Sequence, residues 1–198
     1  MKSKDTFPLS VFCFLLSLVA ASATTRYVWQ ESPSPGPPYT NWATAARVIQ
    51  DAVDAALAGD EIVVTNGTYA TGGRAVVGTM TNRVAVDKPL ALRSVNGSQF
   101  TVIQGYQVPG TTNGDGAIRC VYLASGANLS GFTLTNGATR SEGDAREQSG
   151  GGVWCEASAA GVWNCVVVGN YGGGAHCGTL NNCTLASNSV GGAYLSIM

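Results

Sequence analysis

Three stretches of this chain share one pattern: GGGVWC (150–155), GGGAHC (172–177) and GGAYLS (191–196). A second set interleaves with them: SGFTLTN (130–136), NCVVVGN (164–170) and NCTLASN (182–188). CVYL (120–123) fits the frame of the first set without its glycines. A period of about 20 residues, with two matched strands per repeat, means that one repeat cannot bury its own apolar face. It must stack on its neighbours, and the chain becomes a solenoid. Side-chain alternation assigns the faces. Val121, Val153, Ala175 and Ala193 form one inward column, and Leu123, Cys155, Cys177 and Leu195 another. On the second strand Phe132, Cys165 and Cys183 stack, as do Leu134, Val167 and Leu185. The residues between must face out: Thr133, Val166 and Thr184 on one strand, and Tyr122, Trp154, His176 and Tyr194 on the other. Asn136, Asn170 and Asn188 recur near strand ends, where stacked amides would serve structure.

The rest of the chain fits a solenoid closed at its start. Between Ala43 and Leu57, apolar residues at Ala45, Val48, Ile49, Ala52, Val53, Ala56 and Leu57 follow helical spacing. Gly59 suits a helix stop. The spacing predicts an N-terminal capping helix over 43–59, after a proline-rich extended lead-in over 24–42. From Asp60 onward no further helix is expected. Short β-rich runs alternate with Gly and Asn turns, giving roughly six coils over 60–198. The final GGAYLSIM stops in mid-coil, so the sequence leads us to expect an uncapped last coil. That suggests a truncated chain, or end-to-end association through the open face.

Before the lead-in, Lys2 and Lys4 precede an apolar run over 8–20, which is short of the ~20 residues that span a bilayer. It ends in Ala21-Ser22-Ala23, a signal-peptide cleavage pattern. Residues 1–23 are therefore read as an export signal, and the protein as secreted or on the cell surface without a transmembrane segment. Cys13 leaves with that signal. Cys120, Cys155, Cys165, Cys177 and Cys183 remain, an odd number, so at least one is unpaired. Across neighbouring coils Cys155 faces Cys177 and Cys165 faces Cys183. Reduced, buried thiol ladders are the favoured reading, and cross-coil disulfides the alternative.

Composition narrows the partners. Lys and Arg number 11 against 12 Asp and Glu, a net charge of −1, and charged residues are only 12%. That balance excludes a nucleic-acid protein held by phosphate contacts. The single histidine, His176, offers no metal set and no catalytic triad.

The stretch from Trp42 to Tyr69 (WATAARVIQDAVDAALAGDEIVVTNGTY) resembles the capping helix and first coil of secreted bacterial right-handed parallel β-helix proteins of the pectin-lyase-like superfamily. KPLALRSVNGSQFTVIQG (88–105) resembles their second coil, and the GGG…NC…N coils their degenerate repeats. The resemblance runs from Tyr27 to the end. It implies an all-β, right-handed parallel β-helix with a short N-terminal helix. It leaves function open, because that superfamily holds lyases, hydrolases, adhesins and surface proteins.

Polysaccharide-cleaving members place Asp clusters and a basic residue on the outer face, with or without calcium. Here Glu156 stands alone, and the like positions on later coils hold Gly178 and Ser196. No catalytic residue is assigned. The insertion 138–149 (ATRSEGDAREQS) gathers Arg140, Glu142, Asp144, Arg146 and Glu147. It reads first as a solvated loop of mixed charge, and second as a calcium or substrate loop. Asp115 and Arg119 form a weaker pair of the same kind. No metal ligand is assigned, although the insertion leaves room for calcium. Asn66, Asn96, Asn128 and Asn182 match the glycosylation sequon but read as turn residues.

The outward column Tyr122, Trp154, His176 and Tyr194 is the candidate ligand site. Strands about 4.8 Å apart space its rings like successive sugar units; mutual stacking that stabilises the coil surface is the competing reading. As an exposed platform, the column predicts that Trp154→Ala leaves the fold intact. The leading function is a non-catalytic secreted scaffold for attachment or glycan binding. The alternative is a polysaccharide lyase or glycoside hydrolase.

Overall fold

The computed structural model describes residues 22–198; most of the expected export signal lies outside them. Strand β1 (Thr25–Val28) is followed by a single helical turn at Trp42–Thr44 and by helix α1 (Ile49–Ala55). Five coils follow. The first holds β2 (Glu61–Val64), β3 (Gly67–Tyr69), a short arm β4 (Arg74–Ala75) and β5 (Thr81–Val86). The second holds β6 (Ala91–Ser94), β7 (Thr101–Gln104) and β8 (Ile118–Leu123). The third holds β9 (Asn128–Ser130), β10 (Thr133–Thr135), a helical turn α2 (Ala145–Gln148) and β11 (Val153–Cys155). The fourth is β12 (Gly161–Trp163), β13 (Val166–Val168) and β14 (Ala175–His176). The fifth is β15 (Thr179–Asn181), β16 (Thr184–Ala186) and β17 (Ala193–Tyr194).

Three sheets run along the stack, in the orders β1-β2-β6-β9-β12-β15, β3-β7-β10-β13-β16 and β4-β5-β8-β11-β14-β17. Every pairing is parallel except β4 with β5. The fold is a parallel β-helix, as the repeat requires.

Each coil has three strands, one more than the repeat suggested. The stretch LSGFTL reads as one strand but is two, β9 and β10, bent at Gly131 (φ 78°). The same corner falls at Asn164 (φ 52°) and Asn182 (φ 51°) in the next coils. Asn tolerates this left-handed backbone better than most residues. Its short strands present one inward residue each, so they carry no alternation to read. Their inward column is nonetheless continuous: Ile62, Leu92, Leu129, Val162 and Leu180 stand in register and buried.

The other inward columns fall where alternation put them through the fourth coil; in the fifth, Ala193 and Leu195 are exposed instead. Val84, Val121, Val153 and Ala175 are aligned and buried, and so are Leu134 and Val167. Phe132 is fully enclosed above Cys165. Burying such a side chain contributes roughly 2–3 kcal/mol.

The cap is smaller than the predicted 43–59. Ala46 bonds instead to the edge of β1, with its N–H to Tyr27 O at 2.9 Å and its carbonyl to Trp29 N at 2.8 Å. An open strand edge takes backbone partners in preference to starting a helix there. The lead-in therefore contains a strand. α1 still lays Ile49, Ala52 and Val53 over the end of the core. Gly59 (φ 89°) serves the following turn, donating to Pro89 O at 2.7 Å.

The asparagine ladder is also shifted. Strand register places Gly137, not Asn136, opposite Asn170. A Cβ at Gly137 would collide with the Gly151 carbonyl and the Cys120 sulfur. Asn170 Oδ1 accepts the Gly137 N–H at 2.8 Å, and its Nδ2 donates to Asn188 Oδ1 at 3.0 Å.

Candidate functional site

The ring column forms as its register predicts. Tyr122 pairs with Trp154, Trp154 with His176, and His176 with Tyr194 across successive strands. Ring centres are 5.5, 5.9 and 5.4 Å apart, with interplanar angles of 13°, 7° and 34°. In-register aromatic neighbours on a parallel sheet are held at stacking distance by the strand spacing itself.

The column is not uniformly exposed, which corrects the sequence reading. Tyr122 is 4% exposed and Trp154 7%, whereas Tyr194 is 64% exposed. His176 is intermediate. Tyr122 and Trp154 belong to a small cluster with Ala85 and Ala124, against which Val77 packs. Trp154 is thus a packed side chain, and truncating it is expected to destabilise the fold rather than leave it intact.

The insertion is held down by charges that the sequence reading left in solvent. Arg119 is fully buried and donates to the Gly150 carbonyl at 3.0 Å, the Ser149 carbonyl at 2.9 Å and the Arg146 carbonyl at 2.5 Å. Its remaining partner is Asn82 Oδ1 at 2.9 Å. Glu147 is buried too. Its Oε1 accepts from Thr79 N at 2.9 Å and pairs with Arg140 at 2.9 Å. The Thr79 N–H first, and then Arg140, hold its carboxyl below the ordinary range. Arg140 also binds Asp115 at 2.8 Å, so the expected Asp115–Arg119 pair is not formed. Asp144 caps α2, accepting from Arg146 N at 2.8 Å. The insertion is therefore a docked flap. Among the described residues, no three His, Cys, Asp or Glu side chains converge to hold a metal.

Between this flap and the later coils lies a groove of about 510 Å³. Ala145, Gln148 and Ser149 form one wall. His176 and Tyr194 present their rings from the column, and glycines at 150, 172, 173 and 191 leave bare backbone. The glycine runs have a packing reason. A Cβ at Gly152 would strike the Gly174 carbonyl, and one at Gly174 the Gly192 carbonyl. No carboxylate lines the groove.

Two polar ring atoms of the column, Trp154 Nε1 and His176 Nδ1, are buried without a partner among the described residues. Burial first, and then the Arg119 charge, push the His176 imidazole below its ordinary value. It is neutral at pH 7, able to donate or accept one hydrogen bond. The groove thus combines ring faces, a neutral imidazole and backbone polar groups. That set can stack on and hydrogen-bond a polar ring compound. It holds no carboxylate pair for glycosidic hydrolysis.

Strand register carries Cys165 opposite Cys183, whereas Cys177 turns out of its strand (φ 58°) beside Cys155; all five described cysteines are free thiols.

No protein-family model matches the chain, and no curated protein matches it. Among solved structures it is similar to a pectin methylesterase mutant in complex with a hexasaccharide, with 16% identity and a TM-score of 0.52. The match covers 85% of this chain and 50% of that one, so this chain spans half the length of that structure. At that identity the likeness is one of architecture: the chain is built on the parallel β-helix fold that pectin methylesterase also uses.

Proposed function

We propose that this protein is a secreted or cell-surface β-helical scaffold that binds a glycan in the groove between the docked flap and the ring column. The observation that carries the reading is the column itself. Four rings stand in register at 5.4–5.9 Å, and the last two open into a groove without carboxylates. Tyr194 offers a free face to the apolar side of a sugar ring, and His176 a hydrogen-bonding edge to its hydroxyls. The glycine floor lets a flat ligand approach the backbone.

A second reading keeps some support. The fold likeness to pectin methylesterase fits a polysaccharide lyase or hydrolase of the pectin-lyase-like superfamily. For that reading the outer face would have to supply an acid or base, and calcium would enter as a cofactor.

One experiment separates the two. The purified chain is screened on a polysaccharide panel, with and without calcium, reading retained protein, reducing ends and unsaturated products together. Retention without product, lost about tenfold in Tyr194→Ala, supports the binder. Product formation overturns it in favour of the enzyme. Neither retention nor product removes both.

A further inference from the structure

Cys165 and Cys183 precede the paired residues Val166 and Thr184 on neighbouring parallel strands β13 and β16. In-register residues there are about 4.8 Å apart, inside the Cα range that a disulfide spans. Cys165 is buried, and its Sγ lies 3.2 Å from the Trp163 carbonyl. Cys183 is partly exposed, with its Sγ 3.3 Å from the Val162 carbonyl. Of the two ladders, this one alone keeps both cysteines directly before in-register strand residues, with one thiol buried and the other partly exposed. In the other, Cys177 leaves its strand at φ 58°, out of line with Cys155.

We propose that Cys165 and Cys183 form a thiol–disulfide exchange site for low-molecular-weight peptide disulfides, with Cys183 the attacking and Cys165 the resolving thiol. The Cys183 thiolate attacks one sulfur of the incoming disulfide, whose S–S bond breaks and releases one thiolate. Cys165 then loses its proton to solvent and attacks the Cys183 sulfur, releasing the second thiolate. Two protein thiols are oxidised to one disulfide, and one external disulfide is reduced to two thiols. Hydrogen bonding from Cys165 draws Cys183 below the ordinary thiol range, while Cys165 is held well above it, which matches this division of labour. In contrast, burial pushes Cys155 up to about 12. The product joins the fourth coil to the fifth. In-register Cβ atoms sit slightly farther apart than a relaxed disulfide prefers, so the bond stays reducible.

The test incubates the full chain, purified reduced, with oxidised glutathione under native conditions and maps its cysteines by peptide mass. The expected result is a Cys165–Cys183 cross-link, reversed by dithiothreitol, with Tm raised by roughly 5 °C. Cys165→Ser should stop at a glutathione adduct on Cys183, and Cys183→Ser should leave Cys165 unmodified. A cross-link at Cys155–Cys177, a stable glutathione adduct in the unsubstituted chain, or thiols that react only after unfolding would each overturn the proposal. The mapping of the unsubstituted chain decides the matter even if a variant fails to fold.

Discussion

The guanidinium carbon of Arg119 lies 5.9 Å from the centre of the Trp154 ring, and both side chains are buried. This contact joins the ring column to the flap. Among the described residues no carboxylate bonds Arg119; its partners are Asn82 Oδ1 and the carbonyls of Arg146, Ser149 and Gly150. Burial pushes its pKa down to about 9, against nearby acidic groups that raise it, so it remains a cation at neutral pH. A buried cation held by carbonyl dipoles depends on the planar fork of the guanidinium.

Arg119→Lys keeps the charge but not the fork. Flap carbonyls then lose partners, each worth about 1–3 kcal/mol when left buried and unmet. The expected outcome is a loss of roughly 3 kcal/mol in urea unfolding, with new tryptic cleavage at Arg140 or Arg146. Unchanged protease resistance would show that Arg119 does not hold the flap.

Asn170 tests the corner ladder. Its amide serves Gly137 N, the Leu134 carbonyl at 3.0 Å and Asn188, and it is 1% exposed. Asn170→Ala should cost about 3 kcal/mol. Asn188→Ala, at a more open site, should cost about 1. Equal losses in chemical denaturation would contradict the ranking.

Trp154→Ala is now expected to destabilise by about 3–5 kcal/mol, because the ring is packed between Tyr122 and His176 rather than exposed. Tyr194→Ala should leave the melting temperature almost unchanged. Calorimetry of both variants separates the structural end of the column from its accessible end.

His176 sets a pH dependence. Its folded-state value lies below the ordinary 6.5, so the unfolded chain takes up the proton first on acidification. Its contribution is full above about pH 6.5 and is lost as pH falls through the folded value. His176→Gln should flatten the stability profile in that window and leave the profile above pH 7 unchanged. An identical slope in the variant would place the acid sensitivity elsewhere.

The sequence alone determined the solenoid, the inward columns and the order of the four rings. Those follow from a short-range fact: in-register strands one coil apart must repeat their side-chain faces. The third strand stayed hidden because β9, β12 and β15 show one inward residue each, and because Gly131, Asn164 and Asn182 break runs that read as continuous. The cap shrank because Ala46 is claimed by the edge of β1. Only the tertiary structure decided which rings are covered. That outcome rests on contacts far apart in sequence: Val77 packed against the cluster of Ala85, Tyr122, Ala124 and Trp154, and Arg119, beside the Trp154 ring, bonded to the 146–150 carbonyls. No periodicity records such contacts. They depend on which buried cation meets which carbonyls once the coils have stacked.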